Sequence, residues 1–449
     1  DTFPIVGHSS SVVSAADVDR DGDVDLFIGS RSVPGKYPEI PESRLLRNES
    51  LRGEPRFVEE VIPGLSTVGL VTGATWTDAN DDGWLDLALV TEWGSPRLFV
   101  SKKGKLSDQS EAAGLSNHAG WWNGLATGDL DGDGDLDLVA TNVGINTKYG
   151  QPSAAKPTLL YYGDMDGTGV PQLVEAKPGE KGLLPIRGRS CSSKAMPFLS
   201  QKFTNYRAFA SASLEAIYTP STLDQAQRFA ATEFQTGVFM NVSEGEQVRF
   251  EFAPLPFEAQ ASPGFGVSVV DANGDGHLDI SVVGNLYTRE PETGLWRGSM
   301  GMVLLGNGQG GFAEMPYERS GFVVPGDGKS LARTDFNGDG APDLVAAQNN
   351  DAFLAFGNGA PSKSFLSVRL QGKTGNPTAL GAKVVLHFQD GSQAIAMVDG
   401  GSGYLSQSSA EVFFGLGKRI PKELTIRWAD GVESRHSVKT SGQLQLAHP

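Results

Sequence analysis

The chain of 449 residues holds a single cysteine, Cys191. No intramolecular disulfide can form, so the fold must rest on packed apolar surface or on bound ions. No run approaches the roughly 18 apolar residues of a membrane helix. Basic residues are in the minority, 37 Lys and Arg against 53 Asp and Glu, for a net charge of −16. That balance argues against a nucleic-acid partner, whose phosphates call for a cationic surface. The six histidines, His8, His118, His277, His387, His436 and His448, show no paired metal-ligand spacing. Neither a G-x-S-x-G elbow nor a P-loop is present. Cys191 lies beside Arg187 and Arg189, which could lower a thiol pKa, but a lone loop cysteine is more often incidental.

What the chain has in abundance is aspartate in one pattern. Asp129, Asp131, Asp133 and Asp137 stand at relative positions 1, 3, 5 and 9, with Gly134 at position 6 and the apolar run Leu138-Val139-Ala140 behind. Four more copies read Asp17-Asp19-Asp21-Asp25, Asp78-Asn80-Asp82-Asp86, Asp271-Asn273-Asp275-Asp279 and Asp335-Asn337-Asp339-Asp343, each with glycine at position 6. Alternate carboxylates in a short loop can converge on one hard cation, and the glycine supplies the turn that wraps the backbone around it. Ca²⁺, with six to eight oxygen ligands, suits such a loop better than Mg²⁺ or Zn²⁺. The expected ligands are these side chains plus the position-7 carbonyls of Asp23, Trp84, Asp135, His277 and Ala341. The competing reading is an Asx-rich turn without metal; against it, carboxylates so crowded repel one another unless a cation neutralises them. An EF-hand is excluded because its position 12 requires a bidentate Glu, whereas this chain places Ile28, Leu89, Ala140, Val282 and Ala346 there. Ca²⁺ at about five sites would bring the charge to about −6, so most of the acidity is accounted for by metal.

A sixth copy, Asp164-Met-Asp166-Gly167-Thr168-Gly169, carries Gln172 in place of the last aspartate, which puts its calcium binding in doubt. Most copies recur at steps of about 50–65 residues, a spacing that propeller blades produce. Each full copy joins two strand-like runs and is followed by hairpin material, the four-stranded grammar of a blade. Residues 177–235 break the rhythm. Phe203, Tyr206, Ala210, Leu214 and Ile217 recur at steps of 3 and 4 and predict an amphipathic helix over 198–218, with a second over 221–232 led by Ser221. Such an insert is either packed on the rim or a docking surface, with packing the simpler reading. From 362 the acidic loops stop. Strand-like runs at 365–371, 382–389, 393–399, 411–415, 423–428 and 433–438 predict a compact sandwich-like β domain.

These repeats resemble the FG-GAP/VCBS type. The last segment resembles the ASPIC/UnbV domain through Leu380–Val384, the run Gly400-Gly-Ser-Gly-Tyr404-Leu-Ser-Gln407, Phe414–Gly417, Leu424–Trp428 and Asp430-Gly431. Propeller followed by that domain is the arrangement of the cartilage acidic protein family and its bacterial relatives. The resemblance implies an all-β, calcium-stabilised β-propeller over 1–361, usually of seven blades, where six copies are counted here. It further implies the ASPIC/UnbV-like β domain over 362–449, on a secreted protein to which no enzymatic activity is generally attributed.

The expectation is therefore a secreted, extracellular or periplasmic protein, its signal peptide removed, acting in adhesion, ligand binding or structure through a protein or glycan partner. It would use no nucleic acid and no membrane insertion, and it could be a subunit of a larger surface or envelope assembly. The alternative is a propeller enzyme acting on extracellular polysaccharide or another extracellular polymer. For that reading Trp121, Trp122 and His118 could line a pocket, although blade packing accounts for them more simply.

Overall fold

The computed structural model describes residues 7–51, 54–180, 182–288 and 294–449. Alternating and continuous apolar runs on both sides of each acidic loop form antiparallel pairs. The residue before position 1 pairs with the position-9 aspartate in every case: Ala16 with Asp25, Thr77 with Asp86, Gly128 with Asp137, Val270 with Asp279, Thr334 with Asp343. One register, set by one loop length, is thus repeated five times.

Five sheets follow. Blade one runs Ser9–Ala16, Asp25–Ser32, Arg44–Asn48, Phe57–Glu60, and blade two Leu70–Thr77, Asp86–Gly94, Arg97–Lys102, Lys105–Asp108. Blade three uses Leu125–Gly128, Asp137–Ala140, Gly237–Asn241 and Phe250–Pro254; blade four Gly264–Val270, Asp279–Gly284, Met302–Gly306 and Phe312–Glu314. Blade five has three strands, Gly328–Thr334, Asp343–Gln348 and Leu354–Phe356. The first strands of successive blades lie side by side, the arrangement of a β-propeller. Apolar clusters fill the space between neighbours: Phe27, Leu87 and Phe99 between blades one and two, Leu98, Leu125 and Phe239 between two and three, and Val139, Val267 and Leu304 between three and four. Burying each such side chain contributes about 1.5–3 kcal/mol.

The blade count differs from the seven or six expected. Among the described residues five sheets carry the blade order. The sixth copy belongs to a separate sheet, ordered Gly182–Pro185, Gln172–Gly179, Thr158–Gly163, Gln227–Ala231. That sheet lies within the chain between the second and third strands of blade three, so the insertion is 141–236, wider than 177–235. The expected helix over 198–218 is three short ones, Phe198–Lys202, Tyr206–Ala210 and Leu214–Tyr218, because Asn205 and Ser213 restart the chain as caps, accepting from the amides of Ala208 and Ala216. The second helix is Pro220–Gln225, capped by Thr219 rather than Ser221, and 227–231 is strand because it pairs with Thr158–Gly163. The 3- and 4-step spacing still buries Leu214 and Ile217, with Leu199, Phe209 and Tyr218, against Tyr161 and Val174.

The C-terminal domain is two facing sheets: Glu411–Gly415, Phe365–Gln371, Gly442–Ala447, and Gln393–Met397, Lys383–Phe388, Pro421–Arg427, Glu433–Ser437. Leu366, Val368, Leu386, Leu424, Ile426 and Trp428 form its core. The strand Gly442–Ala447, absent from the expected set, adds parallel to Phe365–Gln371. Residues 400–409 leave this domain and run among the inner strands. Gly400 accepts from the Ala15 amide at 2.9 Å, Gly403 bridges Leu125, and the Ser409 amide reaches the Arg333 carbonyl. A Cβ at Gly400 would overlap the Ala15 carbonyl oxygen, so that glycine is fixed by close approach.

Candidate metal centres

Each of the five loops wraps its backbone around its own carboxylates in the same way. The position-3 oxygen accepts from the position-5 amide (Asp21 to Asp19, Asp82 to Asn80, Asp133 to Asp131, Asp275 to Asn273, Asp339 to Asn337). The position-5 oxygen accepts from the position-7 amides of Asp23, Trp84, Asp135, His277 and Ala341. The position-6 glycine amide donates to Asp17, Asp78, Asp271 and Asp335 at 2.6–3.1 Å, and Gly134 does the same for Asp129. The glycines have φ between 87° and 104°, a backbone region that glycine enters without steric cost.

The position-9 aspartate has a further role that the spacing did not disclose. One oxygen accepts from the position-2 amide (Val18, Ala79, Leu130, Ala272, Phe336) and the other from the amide that closes the third strand (Asn48, Ser101, Asn241, Gly306, Asn358). Asp25, Asp86, Asp137, Asp279 and Asp343 therefore tie three strands of a blade as well as facing the loop. Two of the closing residues also join blades. Asn241 Nδ2 donates to the carbonyls of Ala79 and Leu136, and Asn358 Nδ2 to those of Ala272 and Pro342.

Electrostatics set loops one to four apart. Burial, with neighbouring carboxylates adding to it, pushes Asp17 up to about 7 and Asp23, Asp78, Asp129 and Asp271 up to about 6. Burial pushes Asp137 and Asp279 up to about 8, and raises Asp25 and Asp86 as well. Ionising such groups together is unfavourable without a positive charge among them. Asp17, Asp19 and Asp21, and separately Asp129, Asp131 and Asp137, bring one oxygen each within 4.8 Å of one another. In loops one and two the inner oxygens Asp17 Oδ1 and Asp78 Oδ1 are buried with no hydrogen-bond partner. An orphaned buried carboxylate oxygen is costly unless something occupies its lone pairs, and the oxygen-only donor set fits a hard divalent cation.

The copy at Asp164 is different. Asp164 takes the amides of Asp166, Gly167, Thr168 and Gly169, and Gln172 Oε1 accepts from the position-2 amide of Met165 at 2.7 Å, while its Nε2 donates to Asp166. Hydrogen bonds led by Thr168 hold Asp166 below the usual carboxylate range, so this loop is satisfied as it stands.

All five loops meet the C-terminal domain. Arg427 Nη2 lies 2.6 Å from Asp78 Oδ2 and 2.7 Å from Asp81 Oδ1, and Lys383 Nζ 3.0 Å from Asp81. Gln443 donates to Asp335 at 2.7 Å, the Gly417 amide to the Gly274 carbonyl, and Arg419 to the Gly276 carbonyl at 2.9 Å. Gly375 packs on Gly22 and Asp23, and the Gln393 amide lies over Gly134.

The side chains weighed for an enzyme pocket are placed in packing. Trp122 is fully buried between blades two and three, His118 sits edge-on to Phe239 and tilted against Phe252, and Trp121 joins Trp93, Tyr149 and Trp296. Arg187 Nη1 is 3.9 Å from Cys191 Sγ. Among the described residues no helix is long and apolar enough to cross a membrane.

The chain carries an FG-GAP-like repeat, matched over residues 78–140, and an ASPIC and UnbV domain, matched over 372–449. It is similar to cartilage acidic protein 1 of Xenopus tropicalis, 28% identical over 221 residues, and to that of Homo sapiens, 29% identical over 223 residues. Each alignment covers 47% of this chain and 32–33% of the relative, so the chain matches about a third of those proteins' length. Among solved structures, the V. cholerae biofilm matrix protein Bap1 aligns with 97% of this chain and 60% of its own at 12% identity and TM-score 0.30. The exotype rhamnogalacturonan lyase YesX aligns with 98% and 73% at 11% identity and TM-score 0.32.

Proposed function

We propose that the chain is a calcium-binding propeller protein of the extracellular space that works by holding a protein or glycan partner and not by catalysis. The observation that carries this reading is the pair of orphaned inner oxygens, Asp17 Oδ1 and Asp78 Oδ1, each within a loop of crowded acidic or amide side chains. Calcium at the millimolar level found outside cells would fill such loops readily. The relatives' name, cartilage acidic protein, agrees with an extracellular setting. In this reading the ions are structural. Each fixes the loop that joins the first two strands of a blade, and the C-terminal domain rests on the loops so fixed. A place in a larger surface or envelope assembly fits the same design.

The experiment is to screen the full chain against glycan and matrix-protein arrays with calcium and with EDTA. Saturable, calcium-dependent retention without consumption of the retained polymer supports the proposal. Cleavage of a polysaccharide by the purified chain overturns it in favour of the enzyme.

A further inference from the structure

A cavity of about 620 Å³ lies where loops three and four face the C-terminal domain, a volume within the range of small-molecule sites. Asp129 and Asp131 line it from the propeller side, Arg333 from the end of blade five's first strand, and Arg419, Asp399 and Phe413 from the C-terminal segment. Ile395 and Met397 give it an apolar wall.

Carboxylates surround its two guanidinium groups, Asp399 and Glu411 about Arg333 and Asp271, Asp275 and Asp390 about Arg419, but no carboxylate takes a short hydrogen bond from either arginine. Arg333 donates from Nη1 to the Val269 carbonyl at 2.8 Å, its Nη2 stands 3.9 Å from Asp399 Oδ2, and its Nε is buried with no hydrogen-bond partner. Arg419 donates to two carbonyls, Gly276 at 2.9 Å and Gly415 at 3.3 Å, and lies over the Phe388 ring at 4.0 Å. Burial pulls both below the usual arginine range. A guanidinium is a planar fork of donors shaped for a carboxylate, and a buried donor left empty calls for an acceptor. The aspartates along the same walls can accept hydrogen bonds from hydroxyl groups, and the apolar wall suits the face of a sugar ring.

We propose that this interdomain cavity binds a small hydroxyl-bearing carboxylate of the uronic acid type, its carboxylate on Arg333 and Arg419 and its hydroxyls toward Asp129, Asp131 and Asp399. The site deepens the ligand-binding reading above and rests on it.

The test is calorimetric titration of the full chain in saturating calcium with D-glucuronate, D-glucose and acetate. Glucuronate is expected to bind saturably, with glucose and acetate at least tenfold weaker. Arg419→Gln, a half-buried position, and Arg333→Gln should each weaken glucuronate at least tenfold. If Arg333→Gln does not fold, Arg419→Gln alone decides. Absence of saturable heat, equal binding of glucose or of acetate, or full affinity in a folded Arg419→Gln overturns the proposal. The calcium-dependent melting shift is recorded on the same samples. If it persists while glucuronate fails to bind, only the carboxylate site falls; if it vanishes, the metal reading falls separately.

Discussion

Arg427 and Asp78, 349 residues apart in sequence, form a 2.6 Å ion pair across the interface between the C-terminal domain and the second loop. The arginine takes the outer oxygen, Oδ2, which also accepts from the Gly83 amide, and leaves the inner oxygen buried without a hydrogen-bond partner. The pair therefore orients a carboxylate rather than merely neutralising it. Asp78 is nearly inaccessible and Arg427 about a quarter exposed, so solvent screens the interaction only in part.

Replacing Arg427 with Met should destabilise the chain by about 2 kcal/mol, the scale of a charge-assisted hydrogen bond lost to a buried acceptor. It should also weaken calcium at loop two. Thermal melts in calcium and in EDTA check this. The variant should lose part of the calcium-dependent shift, and a melting temperature unchanged in both buffers would contradict the orienting role.

The raised carboxylates give a pH signature with a definite sign. Asp17 at about 7, and Asp137 and Asp279 at about 8, lie above the unfolded value of about 3.9. Their favourable contribution is complete below that value, falls progressively as pH rises above it, and is gone once pH has passed the folded values of about 7 and about 8. Metal-free protein should therefore melt higher at pH 5.5 than at pH 8.5. Calcium competes with those protons, so the stabilisation it adds should grow over the same interval. Melts at three pH values with and without calcium decide; parallel pH profiles would show that the cation and the protons do not share these groups.

The two kinds of loop can be told apart by stoichiometry. Asp129→Ala should remove one bound ion and Asp164→Ala none. Thr168→Asp with Gln172→Asp restores carboxylates at positions 5 and 9 of the sixth copy and should add one. Metal analysis after dialysis reads the count, and equal losses from Asp129→Ala and Asp164→Ala would mean that the copies do not differ.

Gly415 packs so closely on Asp271 that a Cβ there would overlap the carboxylate. Gly415→Ala should push the C-terminal domain off loop four, at a cost of about 1–3 kcal/mol for overpacking. Faster proteolysis near residues 357–364 in calcium reports the displacement, whereas cleavage at the native rate would show that the interface tolerates the methyl group.

The loops were legible because their information is local. Five residues within nine fix the turn, the strand register and the acidic cluster, and the apolar run behind position 9 fixes the second strand. The propeller followed from the repetition. What could not be read is what depends on distant partners. The sixth copy has the same opening, but its strand Thr158–Gly163 pairs with Gln227–Ala231, which takes it out of the ring. The apolar spacing over 198–218 was real, yet Asn205 and Ser213 offer the backbone capping partners that end each turn. Gly442–Ala447 shows only a weak alternation and becomes a strand by adding to Phe365–Gln371. Nothing near Arg427 or Arg419 in the sequence points to loops about 350 and 140 residues away.

Metal content and stability measured together on one preparation test the central claim most directly. The full chain is stripped with EDTA, dialysed against millimolar calcium, and assayed for bound calcium and for melting temperature. About one ion per full loop, near five per chain, is expected, with a reversible rise in melting temperature; calcium at one hundred times its Kd stabilises by about 2.7 kcal/mol per site. A chain that keeps no calcium and melts at the same temperature in EDTA would contradict it.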